Sequence, residues 1–466
     1  MCPNGRLSSL LARNLPCFYD MKRQHDLTQG AVWKVILTFA FPLLVGNLIQ
    51  QVYNLTDSVI VGSFLGKEAL AAVSASFFIY YFIISFVIGI GSGITVIVSQ
   101  YFGARQYDKV QRAFSSFCGF TLIAGIFLSV SGIVFTEDFF RLTRTPEEVI
   151  PQAVRYFRIY AGGTVLFITF HSMSSVLRSM GDSARPMIFV LITAVLNILF
   201  DLLFIIGFGW EIEGAALATV AAQGVGVCIV LAYIHRRHPL LSIRRKDWAF
   251  DGKLFMQGLR IGIPTSIQQV SIAIGLVALL GIVNRFGTDT LTAYGAAGKV
   301  DSFITQALLT VSSALAAFCG QNIGAQRWDR VRSGVRFALT FNLLFCGTVF
   351  VVVYFFGKEM MRAFTHDADV IAIGYEYLLI LGSFLAVHGA LGIFNGAMRG
   401  AGDTLFAMVT GIVTFWLIRI PLAYGLSHAW GRVGIWWAIV LSISLGFVAT
   451  YIYYHTGRWK KRRVIS

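Results

Sequence analysis

Twelve long apolar stretches follow one another along the chain of 466 residues. A helix needs about 20 mostly apolar residues to cross the hydrocarbon core of a bilayer. The alternating pattern that marks the strands of a membrane barrel is absent, so the stretches are predicted to be helices. Their predicted limits are 33–62, 69–99, 111–135, 152–176, 186–208, 213–235, 255–284, 290–318, 335–356, 371–397, 405–427 and 433–455. The sequence therefore predicts an all-α polytopic membrane protein.

Composition and charge agree with this interpretation. The chain is 56% hydrophobic and 13% charged, whereas soluble domains carry about twice that share of charge. Its net charge of +15 comes from short loops rather than from a separate basic module, which argues against nucleic acid as a partner. With the N-terminus inside, the inner segments hold 25 Lys and Arg residues and the outer loops hold 7. This asymmetry predicts that both termini are cytoplasmic.

The chain also repeats itself at a fixed distance. QYFGARQYDKV at 100–110 matches QNIGAQRWDRV at 321–331, and LRSMGDS at 177–183 matches MRGAGDT at 398–404. The separation from Gln100 to Gln321 equals that from Leu177 to Met398, and this common repeat spacing indicates a duplication. Each half has six spans, an even number, so both halves enter the membrane from the same side. The sequence therefore predicts two parallel six-helix repeats.

The repeat divides the chain into five predicted parts. Two six-helix lobes are expected to bind substrate between them and to move against each other. The parts are a disordered cytoplasmic tail at 1–29, an N-lobe at 30–235, a cytoplasmic linker at 236–253, a C-lobe at 254–455 and a basic cytoplasmic tail at 456–466.

The two copies of the GAxxxDxV motif are interpreted as turns that follow the second and eighth spans. Gly103 and Gly324 are predicted to end these helices, because glycine adopts helix-terminating conformations readily. Asp108 and Asp329 are predicted to cap the helices that follow. We expect these motifs to be structural, with little contact with substrate.

Polar residues within the spans of the first half predict an ion site. Asp57 lies well inside the first span, with Tyr53 one turn earlier on the same face. Asn197 and Asp201 share a face of the fifth span, and Thr219 follows in the sixth. A carboxylate in a membrane usually faces a water-filled cavity on an ion path. These oxygens suit Na⁺ or a shared proton, and separate hydrogen bonds between helices are the alternative.

The second half of the chain lacks the corresponding acids. At the repeat spacing, Asp57 corresponds to Ala278, or to Leu279 by the spacing of Pro42 and Pro264. Asp201 corresponds to Leu422 at the repeat spacing. The acidic site is therefore predicted to belong to the N-lobe alone.

Taken together, these features resemble the prokaryotic type of the multidrug and toxic compound extrusion (MATE) transporters. The resemblance covers about residues 30–455. It rests on the first span P…YNLTDSVIVG, the duplicated turns, N-x-x-x-D in the fifth span and GAALAT in the sixth. It implies a V-shaped pair of six-helix lobes that exports amphipathic, often cationic compounds in exchange for Na⁺ or H⁺.

The resemblance also implies roles for individual residues. The proline that bends the first span matches Pro42, which is the expected hinge. Besides Na⁺ or H⁺ as coupling ion, no cofactor is expected, and the partners are a small-molecule substrate and the lipid bilayer. We expect a monomer in the plasma membrane of a bacterium, the cell inner membrane. The residues that match the coupling-ion site are Asp57, Asn197, Asp201, Thr219 and Tyr53.

Two other functions compete with export. A flippase for lipid-linked precursors, from the same superfamily, needs a strongly basic central cavity to hold a pyrophosphate. Few basic residues lie at depth here; they include Arg419 and Lys299, and Asp301 is predicted to neutralise Lys299. A membrane-embedded enzyme would need paired Asp-rich metal motifs or clustered His and Glu ligands, and the sequence contains neither. We therefore expect a transporter rather than an enzyme.

Overall fold

The computed structural model describes residues 26–143, 145–241 and 249–465, and these residues are mainly helical, without strands. Twelve segments correspond to the twelve predicted spans. They are α1 (Val32–Phe64), α2 (Gly66–Gly103), α3 (Tyr107–Val134), α4 (Ile150–Gly162 and Thr164–Ser179), α5 (Ala184–Asp201 with a π-helical end, Leu202–Gly207), α6 (Ile212–Arg237), α7 (Gly252–Val283), α8 (Gly287–Gly324), α9 (Trp328–Arg362), α10 (Ala368–Ser383 and Leu385–Ala401), α11 (Leu405–Ile412, π-helical Val413–Arg419 and Ile420–Trp430) and α12 (Arg432–Thr456).

Length and mean hydropathy support the predicted crossing of a membrane. Within the described residues, nine helical stretches are long and apolar enough to span, and one of them, Gly252–Gly324, contains both α7 and α8. A tenth is added if α10, whose two parts are bent by 49°, is one broken span. Only α4, broken at Gly163, falls outside this set. The prediction of an all-α polytopic membrane protein is confirmed.

Equivalent irregularities in the two halves reflect the duplication. α4 and α10 are each broken near the middle, and α5 and α11 each contain a π-helical segment. Tyr233 of α6 donates to Asp182 Oδ2 at 3.3 Å, and Tyr453 of α12 donates to Asp403 Oδ2 at 2.6 Å. Each bond ties the last helix of a lobe to the turn between its fourth and fifth helices. The two lobes are therefore built alike.

The two lobes meet along two seams that differ in closeness. In the seam between α2 and α7, a Cβ at Gly89 or Gly93 would overlap the backbone carbonyl of Gly262 or Gly258, respectively. Only glycine permits this approach, since it lacks a side chain. This seam is therefore tight and leaves α7 little room to move.

The seam between α1 and α8 is looser. Thr310 and Ala314 of α8 stand where α2 has its glycines, according to the repeat spacing. Asn47 of α1 donates to Thr310 Oγ1 at 3.0 Å across this seam. A cavity of about 590 Å³ lies beside it, lined by α1, α8, α9 and α10. α8 thus lacks glycine at these two positions, and open space lies beside α1.

The repeated turns differ from the prediction in one respect. α2 ends at Gly103 and α8 ends at Gly324, as predicted. The predicted caps are wrong, because α3 and α9 begin after Gln106 and Arg327, and neither N-cap side chain makes a capping bond. Asp108 and Asp329 lie instead in the first turn of each helix, where a negative charge interacts favourably with the helix dipole. The prediction that both aspartates lie at the start of the following helix was right, but the prediction that they cap it was wrong.

The predicted pairing of Lys299 with Asp301 is also wrong. The ion pairs of the described residues do not include these two side chains. The Lys299 ammonium instead lies 5.9 Å from the centre of the Phe364 ring. Asp301 lies near the hydroxyl of Thr305 on the next turn of α8. Two residues apart on a helix, the side chains diverge rather than face each other.

The described segments before α1 and after α12 lie at the same face of the bundle, which we call the termini face. It carries residues 26–31, the end of α6, the start of α7 and residues 457–465. The predicted tail 1–29 lies outside the described residues up to position 25, and residues 26–30 form turns before α1. In the predicted basic tail, Arg458–Arg462 form a 3₁₀ helix, and Trp459 is buried. The described ends of the chain are thus part of the packed structure.

Candidate ion site in the N-lobe

The fifth helix supplies two of the predicted ion-site residues. Asn197 and Asp201 lie one turn apart on the buried face of α5, and they are 2% and 0% exposed. α5 packs between α1 and α6, which carry the remaining predicted residues. The helix changes to its π-helical segment directly after Asp201. π-helical turns occur frequently at functional sites, because they change the direction of a side chain.

Asp57 of α1 meets Asp201 inside the N-lobe. The two carboxyl groups lie within hydrogen-bonding reach of each other. A hydrogen bond between them requires a proton on one group, because an ionised carboxylate only accepts. With both groups ionised, Asp57 Oδ1 and Asp201 Oδ1 are buried without a donor. Buried negative charge whose oxygens are only partly satisfied is costly, so this pair favours binding of a proton or another cation.

Asn197 links the acidic pair to α6. With its amide nitrogen towards Asp201, Asn197 donates to Asp201 Oδ2 at 3.2 Å. Its amide oxygen then accepts from the backbone N–H of Thr219 at 3.3 Å and from the Thr219 hydroxyl at 3.2 Å. This orientation satisfies both ends of the amide, which is the usual condition of a buried polar side chain. Asn197 therefore fixes the position of the Asp201 carboxyl group.

A small cavity adjoins these residues. It offers about 10 Å³, close to the space one water molecule requires, and Tyr53, Asn197 and Thr219 form part of its wall. His171 of α4 and Gln223 of α6 also line it. His171 Nε2 and Gln223 Oε1 are buried without a hydrogen-bond partner. The cavity thus brings several unsatisfied polar atoms together, and water or a cation can satisfy them.

Tyrosines of α1 and α4 lie beside the acidic pair. Tyr53 and Tyr156 lie close enough to Asp57 and Asp201 to interact with them electrostatically. The rings of Tyr156 and Tyr160 are stacked with centroids 6.1 Å apart. Tyr156 and Gln223 carry no feature of spacing that distinguishes them from other span residues, so sequence reasoning missed them. Their proximity depends on how α4 and α6 pack.

The expected hinge residue lies within a continuous helix. α1 passes through Pro42 without interruption. Because proline has no N–H, the carbonyl of Thr38, four residues earlier, loses its usual helical partner. Pro42 and Thr38 both line the 590 Å³ cavity beside the loose seam. The weakest point in the hydrogen bonding of α1 therefore faces open space.

The C-lobe positions that correspond to the two acids carry apolar side chains. Leu279, which corresponds to Asp57 by the spacing of Pro42 and Pro264, is 1% exposed and belongs to a hydrophobic cluster with Tyr377 and Trp436. Leu422 packs against the same cluster. Within the described residues of the whole chain, no group of three or more His, Cys, Asp or Glu side chains is arranged to hold a metal ion. The paired carboxyl groups are thus a feature of the N-lobe.

Comparison with known proteins identifies the family. The MatE family model matches the chain twice, at residues 42–203 and 264–425, once in each half. Two Bacillus subtilis proteins, described as probable multidrug resistance proteins YpnP and YoeA, are 31% and 30% identical to the chain. The alignments cover 95% and 94% of this chain, and 99% and 96% of those proteins.

A solved structure shows the same fold. It is the outward-facing conformation of a multidrug resistance MATE family transporter, and it superimposes with a TM-score of 0.88 at 22% identity. The superposition covers 94% of this chain and 99% of that one. The two family matches and the nearly complete alignments agree with the two-lobe, twelve-helix layout. The chain therefore belongs to the MatE family, the multidrug and toxic compound extrusion transporters, and is a membrane transporter rather than an enzyme.

Proposed function

We propose that the protein is a secondary antiporter that exports amphipathic, often cationic small organic compounds in exchange for Na⁺ or H⁺. The observation that carries this proposal is the facing pair of carboxyl groups, Asp57 and Asp201, each with one buried oxygen that lacks a donor. The two Bacillus relatives, which are described as probable multidrug resistance proteins, support drugs as the exported class. The proposed coupling-ion site consists of Asp57, Asn197, Asp201 and Thr219, with Tyr53 beside it.

The coupling follows from charge balance. Two ionised carboxyl groups repel each other, and one oxygen of each lacks a donor. Entry of Na⁺ or a proton neutralises part of their charge and draws α1 and α5 together. Organic cations in the central space would lose their attraction to the N-lobe at the same step. An ion drives export only to the extent that it binds the two conformations with different affinity. The carboxyl pair provides this difference because its separation depends on the position of α1.

In this proposal α1 is the helix that moves. Pro42 gives it a place to bend, and the adjacent cavity of about 590 Å³ gives it room. Residues 30–235 and 254–455 act as the two lobes, joined by the linker 236–253. We place the protein in the plasma membrane of a bacterium as a monomer, with the termini face and the tail 456–466 in the cytoplasm.

The test is transport by purified protein in liposomes, with ethidium as the organic cation. A Na⁺ gradient and a pH gradient are imposed separately. One of them should drive ethidium movement by the wild-type protein. Asp57→Asn and Asp201→Asn keep the size of the side chain and remove its charge, so each should reduce gradient-driven transport by about tenfold or more.

Asp301→Asn is the matched control. Asp301 also lies within a membrane helix, but it belongs to α8 of the C-lobe. This variant should retain most of the gradient-driven transport. Full activity of Asp57→Asn at matched protein content would show that coupling runs through other residues, and the N-lobe assignment would be abandoned.

A further inference from the structure

Two glutamines of the repeated motifs bridge the lobes at the termini face. Gln321 begins the second copy of the motif, lies in α8 of the C-lobe and is 0% exposed. Its amide nitrogen donates to the carbonyl of Ser179, at the end of α4 in the N-lobe, at 2.9 Å. Its amide oxygen accepts from the N–H of Leu27, just before α1, at 3.0 Å. One side chain therefore holds two separate parts of the opposite lobe.

Gln100 makes the reciprocal contacts. It lies in α2 of the N-lobe and is also 0% exposed. Its amide nitrogen donates to the carbonyl of Gly400, at the end of α10 in the C-lobe, at 2.9 Å. Its amide oxygen accepts from the backbone N–H groups of Val464 and Ile465, after α12, at 2.9 and 3.4 Å. The described segments before α1 and after α12 are thus each fastened to the lobe to which they do not belong.

The two sets of contacts are related by exchange of the halves. Gln100 and Gln321 are equivalent positions at the repeat spacing, and so are Ser179 and Gly400. When residue i contacts j in the other half, and the equivalent of j contacts the equivalent of i, the contact surface is self-complementary about a twofold axis. The pair of glutamines therefore lies across the pseudo-twofold axis that relates the lobes.

Close approach of the helix backbones encloses both glutamines. A Cβ at Gly103 would overlap the carbonyl of Gln321, and a Cβ at Gly324 would overlap the carbonyl of Gln100. Water has little space between backbones in such contact. The amide groups consequently depend on the opposite lobe for their hydrogen bonds, as buried polar groups generally depend on protein partners.

The segment 27–30 is held in addition by a cationic clasp on the C-lobe. Arg330 donates to the carbonyls of Gly30 at 2.7 Å, Gln29 at 3.3 Å and Leu27 at 3.4 Å. Arg327 donates to the carbonyl of Thr28 at 3.2 Å. A helix can begin without these cationic N–H contacts. The clasp therefore indicates a specific attachment of the start of α1 to the C-lobe.

We propose that Gln100 and Gln321, together with the chain segments 27–30 and 464–465, form the gate that closes the termini face of the transporter. Separation of the lobes on this face must break both glutamine bridges at once, because each glutamine holds the opposite lobe. The clasp on segment 27–30 connects this gate to the start of α1, the helix that carries Asp57. The inference rests on the proposed function only in that the lobes must move apart on this face during transport.

The test measures the distance between the lobes by electron spin resonance of two spin labels. Arg112→Cys and Ser333→Cys provide the sites, in protein whose six native cysteines are replaced by alanine. Both positions are exposed and lie near the termini face, and the repeat spacing places them at equivalent points on the two lobes. In liposomes without a gradient, the parent protein should give mainly one short distance.

Gln321→Ala and Gln100→Ala should each shift the population towards a longer distance. Loss of two buried hydrogen bonds should raise the ratio of separated to closed protein by about tenfold, and the double variant should raise it further. Asn342→Ala is the matched control, because Asn342 is a buried amide that donates to the Ala386 carbonyl at 2.8 Å within one lobe. It should leave the distance distribution unchanged.

Distances equal to those of the parent in both single variants and in the double variant would overturn the proposed gate. An equal shift in Asn342→Ala would also overturn it, because general loosening would then explain the effect. If one glutamine variant fails to fold, the other decides the question, and Arg330→Ala tests the clasp in the same assay. The distance measurement does not depend on a coupling ion. It therefore tests the gate even if the proposed ion site in the N-lobe is wrong.

Discussion

At the residue scale, the N-lobe arrangement gives different tasks to its polar side chains. Asp57 and Asp201 carry the exchangeable charge of the proposed site. Asn197 and Thr219 hold one of these carboxyl groups in place through the hydrogen bonds between α5 and α6. A ligand that is held by buried neighbours loses little freedom on binding its ion, which is the physical benefit of such support.

This division of tasks predicts the effect of Thr219→Val. Valine keeps the shape of threonine but removes the hydroxyl that pairs with Asn197, while the backbone N–H contact at 3.3 Å stays. Loss of one buried hydrogen bond should weaken coupling-ion binding by about tenfold. The measurement is the Na⁺ concentration, or the pH, that gives half-maximal transport.

Thr219→Ser serves as the control for that prediction. Serine restores the hydroxyl and removes only a methyl group, so its half-maximal condition should return close to that of the wild-type protein. If Thr219→Val and the wild-type protein share the same half-maximal condition, the hydroxyl has no part in ion binding.

At the element scale, the two proline-containing helices have unequal surroundings. Pro42 and Pro264 each lie inside a continuous helix, α1 or α7. α7 is confined by the glycine contacts at Gly258 and Gly262. α1 borders the cavity of about 590 Å³ instead. Equivalent sequence positions therefore have different freedom to bend, and the proposed hinge belongs to α1.

We predict that Pro42→Ala slows transport without harming the fold. Alanine restores the N–H that can pair with the Thr38 carbonyl, so α1 should become stiffer and the unfolding temperature should stay equal or rise. Turnover of ethidium should fall by about fivefold or more. Turnover and the unfolding temperature are measured on the same preparation in liposomes and detergent.

Pro264→Ala is the matched comparison, because it makes the same change in the confined helix. It should reduce turnover much less than Pro42→Ala. Equal losses in both variants would mean that bending of α1 is not the step that limits transport.

At the scale of the whole molecule, the described segments before α1 and after α12 lie on the termini face, and the sequence concentrates basic residues on this side. The 25 Lys and Arg residues counted for this side, against 7 for the other, predict a cytoplasmic termini face. The same face holds the lobes together through Gln100 and Gln321. Closure of the lobes on the cytoplasmic face is the arrangement that release of substrate to the outside requires.

Reporter fusions test this orientation. Green fluorescent protein joined after Ser466 should fluoresce, because it folds in the cytoplasm and not after export through the general secretory route. Alkaline phosphatase joined after Glu148, between α3 and α4, should be active, and the same enzyme joined after Asp251, before α7, should be inactive. Inactive phosphatase at Glu148 together with active enzyme at Asp251 would reverse the predicted orientation.

The sequence by itself determined the helices, the repeat and the residues of the candidate ion site. Hydropathy identifies spans because a backbone in lipid must satisfy its own hydrogen bonds, so the signal is local. The duplicated motifs identified two like halves, and the absence of acids at Leu279 and Leu422 distinguished them. Asp57 and Asp201 were recognisable because a carboxyl group inside an apolar span is rare and costly.

Only the tertiary structure decided which faces of these helices meet. Gln100 and Gln321 resembled parts of ordinary turns, and their partners across the lobes are far away in the chain. Likewise Lys299 and Asp301 were close in sequence but diverge in space, and Gln223 joined the N-lobe cavity through the packing of α6. Contacts between helices depend on rotation, crossing and close approach, which residue type and local spacing do not specify.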